Sequence, residues 1–209
     1  MKSILNSLIA AAAVFAASAW AADSATCPIS GKATDPNASL NINGKQVGFC
    51  CDKCPAALEK KLGVVDAGPQ KCPVSGEAAD RKARMIETTT EAVYFCCGQC
   101  RAKYVKEQKV PAVSEEGAAK CPVSGEAADP EQFVVHLGKK VGFCCGRCKS
   151  KYVKDNQVVV VDKGPGTCPV SGEPAEKDQV LHVTKAKAVY FCCADCQKEY
   201  VSKEIATKL

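Results

Sequence analysis

The chain has 209 residues, 16 of them cysteine, and a formal net charge of +5. Its 28 basic residues are spread along the length against 23 acidic ones, which excludes the concentrated basic footprint of a nucleic-acid-binding protein. After the first twenty residues no run is apolar enough to cross a bilayer, so the reading turns on what so much cysteine is for.

The N-terminus comes first. Lys2 precedes an apolar, alanine-rich run from Ile4 to Ala19, interrupted by Asn6, Ser7 and Ser18. "SAWAAD" follows, with Ala19 and Ala21 as small residues around a cut after Ala21. This pattern predicts a secretory signal peptide over 1–21. No cysteine stands at the cut, which argues against a lipid anchor. The mature chain is expected to be exported, to the periplasm or the medium, with no membrane insertion after cleavage. It keeps every cysteine.

The mature chain then repeats. "CPISG" opens at Cys27, and "CPVSG" opens at Cys72, Cys121 and Cys168. Each is followed by "FCCxxC", and the starts are 45, 49 and 47 residues apart. Four modules are expected, at 22–66, 67–116, 117–163 and 164–209, separated by short linkers such as "DAGPQ" and "DKGPG". The first and second cysteines are 23 positions apart in modules one and three and 24 apart in modules two and four. A Gly-Lys pair (Gly44-Lys45, Gly138-Lys139) precedes "VGFCC" in the former and is missing before "AVYFCC" in the latter. The order is A-B-A-B, which points to duplication of a two-module unit.

Within each module the elements read alike. "CPVSG" is a tight turn. "QFVVHLGKKVGFCC" predicts two short strands joined at Gly138-Lys139, and "QVLHVTKAKAVYFCC" in module four predicts the same hairpin. A helix begins after the double cysteine. Leu58, Tyr104, Tyr152 and Tyr200, each four residues past the last cysteine, are expected to point inward onto the hairpin. "VVVV" at 158–161 predicts an edge strand.

A unit of roughly 45 residues buries too little apolar surface to stand alone, so the cysteines are expected to hold it. Positions three or four apart share a helix face, so Cys144 or Cys145 can converge with Cys148, and Cys121 can approach from the turn. Helix N-terminal dipoles favour thiolates, and four thiolates suit Zn²⁺ while soft sulfur also suits Cu(I). A disulfide framework is the alternative in an exported protein. Three sulfurs within five residues staple few distant segments, which favours metal. Redox catalysis through CxxC lacks the βαβ setting it needs, and no catalytic constellation stands out, so no enzyme is expected.

The "CPVSG…FCCxxC" pattern, followed by a helix with an aromatic, resembles YHS and TRASH domains, small treble-clef-like metal-binding modules. The resemblance covers nearly the whole mature chain, four times. It implies ligands at Cys27, Cys50 and Cys54; Cys72, Cys96 and Cys100; Cys121, Cys144 and Cys148; and Cys168, Cys192 and Cys196. Related knuckles read C-P-x-C-G; here Ser30, Ser75, Ser124 and Ser171 stand at the second cysteine. Cys51, Cys97, Cys145 and Cys193 are extra, and are expected either to fill the vacated ligand place or to remain spare. His136 and His182 match Ile42 and Ile86 in the other modules and are read as strand-face residues rather than ligands.

The expected fold is therefore α+β: four tandem hairpin-plus-helix, treble-clef-like units of zinc-finger type after a signal peptide. The expected function is binding of zinc or copper(I), up to one ion per module, for sequestration, trafficking or tolerance, with a metal-handling protein as a further partner. The alternative is a zinc- or disulfide-braced scaffold for protein interaction.

Overall fold

Each Phe-Cys-Cys block marks the end of a strand in the computed structural model, which describes residues 26–114 and 118–209. The expected signal peptide, 1–21, lies outside the described residues. The described chain is mixed α/β. In order it runs β1 (Asp35–Ile42), β2 (Lys45–Phe49), α1 (Lys53–Leu62), β3 (Asp80–Phe95), α2 (Gly98–Gln108), β4 (Asp129–His136), β5 (Lys139–Phe143), α3 (Gly146–Asp155), β6 (Val159–Val161), β7 (Glu176–Phe191) and α4 (Ala194–Tyr200). A π-helical turn over Val201–Ile205 continues α4. No helix among the described residues is long and apolar enough to cross a membrane.

Modules one and three form the hairpins their sequences predict. β1 returns as β2 through Asn43-Gly44 at φ 51° and 91°, and β4 returns as β5 through Leu137-Gly138 at φ 51° and 71°. Positive φ at both central residues is the type I′ turn, whose twist matches the strands. Glycine takes this region freely and asparagine tolerates it; Leu137 holds it under strain, against the pull of its own burial at 9% exposure. Each hairpin closes through a bulge, with Asp35 opposite Phe49 and Asp129 opposite Phe143.

Modules two and four do not form hairpins, and the expectation is corrected there. β3 and β7 each run 16 residues without a turn. Where a turn would stand, β3 has "ETTTE" (87–91) and β7 has "VTKAK" (183–187). Neither offers a glycine or asparagine for positive φ, and β-branched threonine resists it. The strands therefore continue straight and pair with each other, antiparallel, from Arg84 opposite Tyr190 to Tyr94 opposite Val180. At the two ends, beyond a bulge, Asp80 meets Phe191 and Glu176 meets Phe95. These are the counterparts of the Asp–Phe closures of the local hairpins, with Glu176 in place of Asp in one, made with the other module's second half. Two self-contained hairpins and one interlocked pair replace the four separate hairpin units.

The pairing carries an internal two-fold. Cys72 and Cys168 are 96 residues apart, as are Cys96 and Cys192. Thr89 sits opposite Lys185, its own counterpart 96 residues on, so the axis passes between them. Features off the axis come in pairs with the same offset. The Tyr94 hydroxyl donates to Asp162 and that of Tyr190 to Asp66, at 2.9 and 2.8 Å. Val161 bridges to Glu91 and Val65 to Lys187.

Modules one and three dock onto this central ribbon. The free edge of β3 takes β1 in parallel at Ile42–Ile86 and β6 over Thr89–Glu91. The buried Asn43 carboxamide clamps the first contact: its Oδ1 accepts the Thr88 N–H at 2.8 Å, and its Nδ2 donates to the Thr88 and Gln157 carbonyls at 3.0 and 2.9 Å. Beneath each Cys-Cys pair the preceding phenylalanine, at 49, 95, 143 or 191, is fully buried. The predicted inward residues meet it. Tyr104, Tyr152 and Tyr200 stack against Phe95, Phe143 and Phe191 with ring centroids 5.3, 5.3 and 5.4 Å apart, and Leu58 is 1% exposed in the same place.

Candidate metal centres

Every centre begins with the Cys-Pro-x-Ser-Gly turn. In module one the Gly31 N–H donates to the Cys27 carbonyl at 2.9 Å, and the Cys27 N–H donates to the Lys32 carbonyl at 2.8 Å. Gly31, Gly76, Gly125 and Gly172 close the four turns at φ 71° to 79°, a region that favours glycine. The tight loop turns its own amides onto the sulfur. The Cys27 thiolate is offered the N–H groups of Ile29 and Ser30, the Ser30 hydroxyl and, from across the site, the N–H of Cys50.

The other sulfurs come from a strand end and a helix start. The first cysteine of each pair ends its strand pointing inward, and the third stands in the first helical turn. In module one Cys50 lies 3.6 Å from Cys54 between sulfurs, and Cys27 joins them in a group of three whose sulfurs all lie within 4.8 Å. Module three repeats this with Cys121, Cys144 and Cys148, the last two 3.6 Å apart.

The remaining two centres are composite, and the ligand sets expected for modules two and four are redistributed. Cys72 of module two groups with Cys192 and Cys196 of module four. In return Cys168 of module four lies against Cys96 and Cys100: the Cys96 N–H and the Cys96 and Cys100 thiols donate to its sulfur. Cys96, Cys97 and Cys100 form the metal-capable group there. The cause is the strand exchange, because an uninterrupted β3 carries Cys96 to the far end of the ribbon from Cys72.

The donor set fits a soft ion. Sulfurs about 2.3 Å from a common ion at tetrahedral angles lie about 3.8 Å apart. Neighbouring sulfurs in the four centres are separated by 3.5 to 4.0 Å. All sixteen cysteines are free thiols. Each of the four groups could hold one ion.

Within each centre the protons are unequally held. Burial opposes ionisation of the turn cysteine, but the hydroxyl and amide donors outweigh it, and Cys27, Cys72, Cys121 and Cys168 are lowered to about 6 from 9.0. The third cysteine shares its proton with its thiol neighbours and is partly desolvated, which raises Cys54, Cys100, Cys148 and Cys196 to about 12. The second cysteine of each pair lies over the helix start, where backbone N–H groups lower its pKa. It is the exposed member, at Cys51, Cys97, Cys145 and Cys193.

The four serines have a place that their reading as lost ligands did not anticipate. Each Oγ lies against the first sulfur of a pair: Ser30 to Cys50 at 3.1 Å, Ser124 to Cys144 at 3.3 Å and, across modules, Ser75 to Cys192 at 3.3 Å and Ser171 to Cys96 at 3.2 Å. The histidines stand in strands away from the sulfurs. His136 Nδ1 contacts the Tyr152 hydroxyl at 3.0 Å, and burial lowers it to about 4. His182 packs edge-on against Phe133. No family model, curated protein or solved structure matches the chain.

Proposed function

We propose that the protein binds thiophilic metal ions as cargo, up to one in each centre, and that zinc or copper(I) is the ion carried. One observation supports this above the rest: four groups of three converging sulfurs are built, two by local hairpins, one across the exchanged strands and one at the Cys96–Cys97–Cys100 helix start. Different backbone routes ending in converging thiols point to the thiols as the purpose. The resemblance to YHS and TRASH modules favours the same reading, and so does the signal-peptide pattern, which sends a non-catalytic carrier outside the cytoplasm for sequestration, trafficking or tolerance. The test is metal analysis of anaerobically purified mature protein, with a free-thiol count before and after chelation. Bound ion at each centre, with all thiols released by the chelator, is expected. Material with no ion and with its cysteines in disulfides overturns the proposal.

A second reading has one feature in its favour. A groove of about 740 Å³ lies over the centre of the ribbon, with Leu62, Val65, Pro111 and Val161 among its lining residues. A scaffold whose ions only brace the fold would use such a surface for a protein partner. Ions that leave only when the fold is lost favour the scaffold; ions that exchange while the fold persists favour the carrier.

A further inference from the structure

We infer that the exposed second cysteine of three pairs, Cys51, Cys145 or Cys193, is the exchange ligand through which an ion passes between its centre and a thiol-bearing acceptor. The inference rests on the cargo reading above and concerns how that cargo moves.

Exposure within each centre is graded. The turn cysteines are 1–2% exposed and sealed under the knuckle. The first and third cysteines are half-buried, apart from Cys54, which is buried. The second cysteine alone is exposed, in all four centres. The backbone explains the split. Cys97, Cys145 and Cys193 are extended, at φ −157° to −163° and ψ 165° to 170°. Neighbouring side chains on extended backbone leave on opposite sides, so in these three pairs one sulfur turns inward and the next turns to solvent. The outer sulfur still touches the inner ones. Cys51 lies 3.5 Å from Cys54 and 4.0 Å from Cys50, yet falls outside the group of three that includes Cys27. Cys145 and Cys193 each lie 3.8 Å from the inner member of the pair and likewise fall outside their groups, whereas Cys97, at the same distance, is a member of its own.

A thiol arriving from solvent therefore meets this sulfur first. The exposed sulfur takes up a bond to the ion as one pocket sulfur lets go, any proton it loses passing to the sulfur released. The acceptor thiol then binds the ion and gives up its proton, and the released pocket sulfur takes a proton in its turn. Each new metal–sulfur bond replaces an old one, each proton lost by the acceptor is regained by the carrier, and no electron is transferred. The acceptor chemistry is a thiolate, from a small thiol or from a protein dithiol.

The experiment uses the full mature chain loaded with Cu(I). Equilibrium affinity is measured by competition with a chromophoric chelator. Transfer rates are followed to glutathione and to a peptide carrying Cys-x-x-Cys. In the variant Cys51→Ser/Cys145→Ser/Cys193→Ser, which leaves the Cys96–Cys97–Cys100 group intact, affinity is expected to stay within about threefold of wild type while transfer from the three altered centres to at least one acceptor slows by about tenfold or more, in the range typical of supporting groups around a metal. Slowing seen with glutathione identifies a small thiol as the source, and slowing seen only with the peptide identifies a protein dithiol. Unchanged rates with both acceptors overturn the inference, and so does a larger loss of affinity, which would make the second cysteine a holding ligand. The variant Cys27→Ser/Cys72→Ser/Cys121→Ser supplies the contrast and is expected to lose affinity at the same three centres. Wild-type protein that takes up no Cu(I) would instead remove the cargo reading.

Discussion

A cysteine lowered to about 6 is a thiolate at neutral pH, and one raised to about 12 is not. An ion arriving at neutral pH therefore finds Cys27 ready and must displace the proton of Cys54. Binding at pH 7.5 is expected to release a proton from the third cysteine of each centre and almost none from the turn cysteine, as an indicator dye in weak buffer would show. The sign for affinity follows: it falls as pH drops through 6, where the turn cysteine gains a competing proton, and it still rises with pH above neutrality. The same residue acts on folding without metal. Its pKa is depressed in the folded state, so its contribution is complete above 9.0 and is lost as pH falls through 6. Two packing residues give a second test. Phe191 is fully buried against Tyr200, and Phe191→Ala is expected to cost about 3–5 kcal/mol in denaturant unfolding. Asn43→Ala strands the Thr88 N–H and places alanine at φ 51°, and is expected to cost about 1–3 kcal/mol.

Whether a module closes on itself is decided at one short segment. Asn43-Gly44 and Leu137-Gly138 bend back, whereas Thr88-Thr89-Thr90 does not. Cross-linking the native protein with a short bis-thiol reagent, followed by peptide mapping, is expected to join Cys72 to Cys192 or Cys196, and Cys168 to Cys96 or Cys100. A dominant Cys72–Cys100 product would mean that the modules close locally. Much of this architecture was legible in the sequence. The turn, the strand end at Phe-Cys-Cys and the helix with its inward tyrosine each rest on local spacing, and local spacing is what a sequence displays. The partner of β3 was not legible, because an alternating strand looks the same whether it folds back or runs on. The signs were the missing glycine and the gap of 24 rather than 23, both visible and both compatible with a longer loop. The exposed and half-buried members of each cysteine pair were indistinguishable for a related reason: adjacent identical residues differ only in which way the backbone turns them.

Seen entire, the molecule has a two-fold ribbon at its centre and four centres of two kinds. Cys27 and Cys50 are 23 residues apart, while Cys72 and Cys192 are 120 apart and Cys96 and Cys168 are 72 apart. Closing the longer loops costs about 1–1.5 kcal/mol more chain entropy per centre than closing the short one. A composite centre also has no site to offer until the ribbon has formed. In a urea titration of metal-loaded protein, Cys27→Ser/Cys121→Ser is expected to release its remaining ions together with the loss of strand signal. Cys72→Ser/Cys168→Ser is expected to keep its ions past that point. Coincident release in both variants would show that the two kinds of centre are not distinct.

The strand exchange also sets the order in which the chain can be finished as it is made. The first unit has all three of its grouped sulfurs once Cys54 is available, although its core still awaits Ile86, Leu137 and Ala186. The knuckle at Cys72 must stand open until the last of its companions, Cys196, has followed it out. For most of the chain's birth that sulfur is an orphan, and whatever oxidant or stray ion meets it in the interval competes with a strand that has yet to arrive.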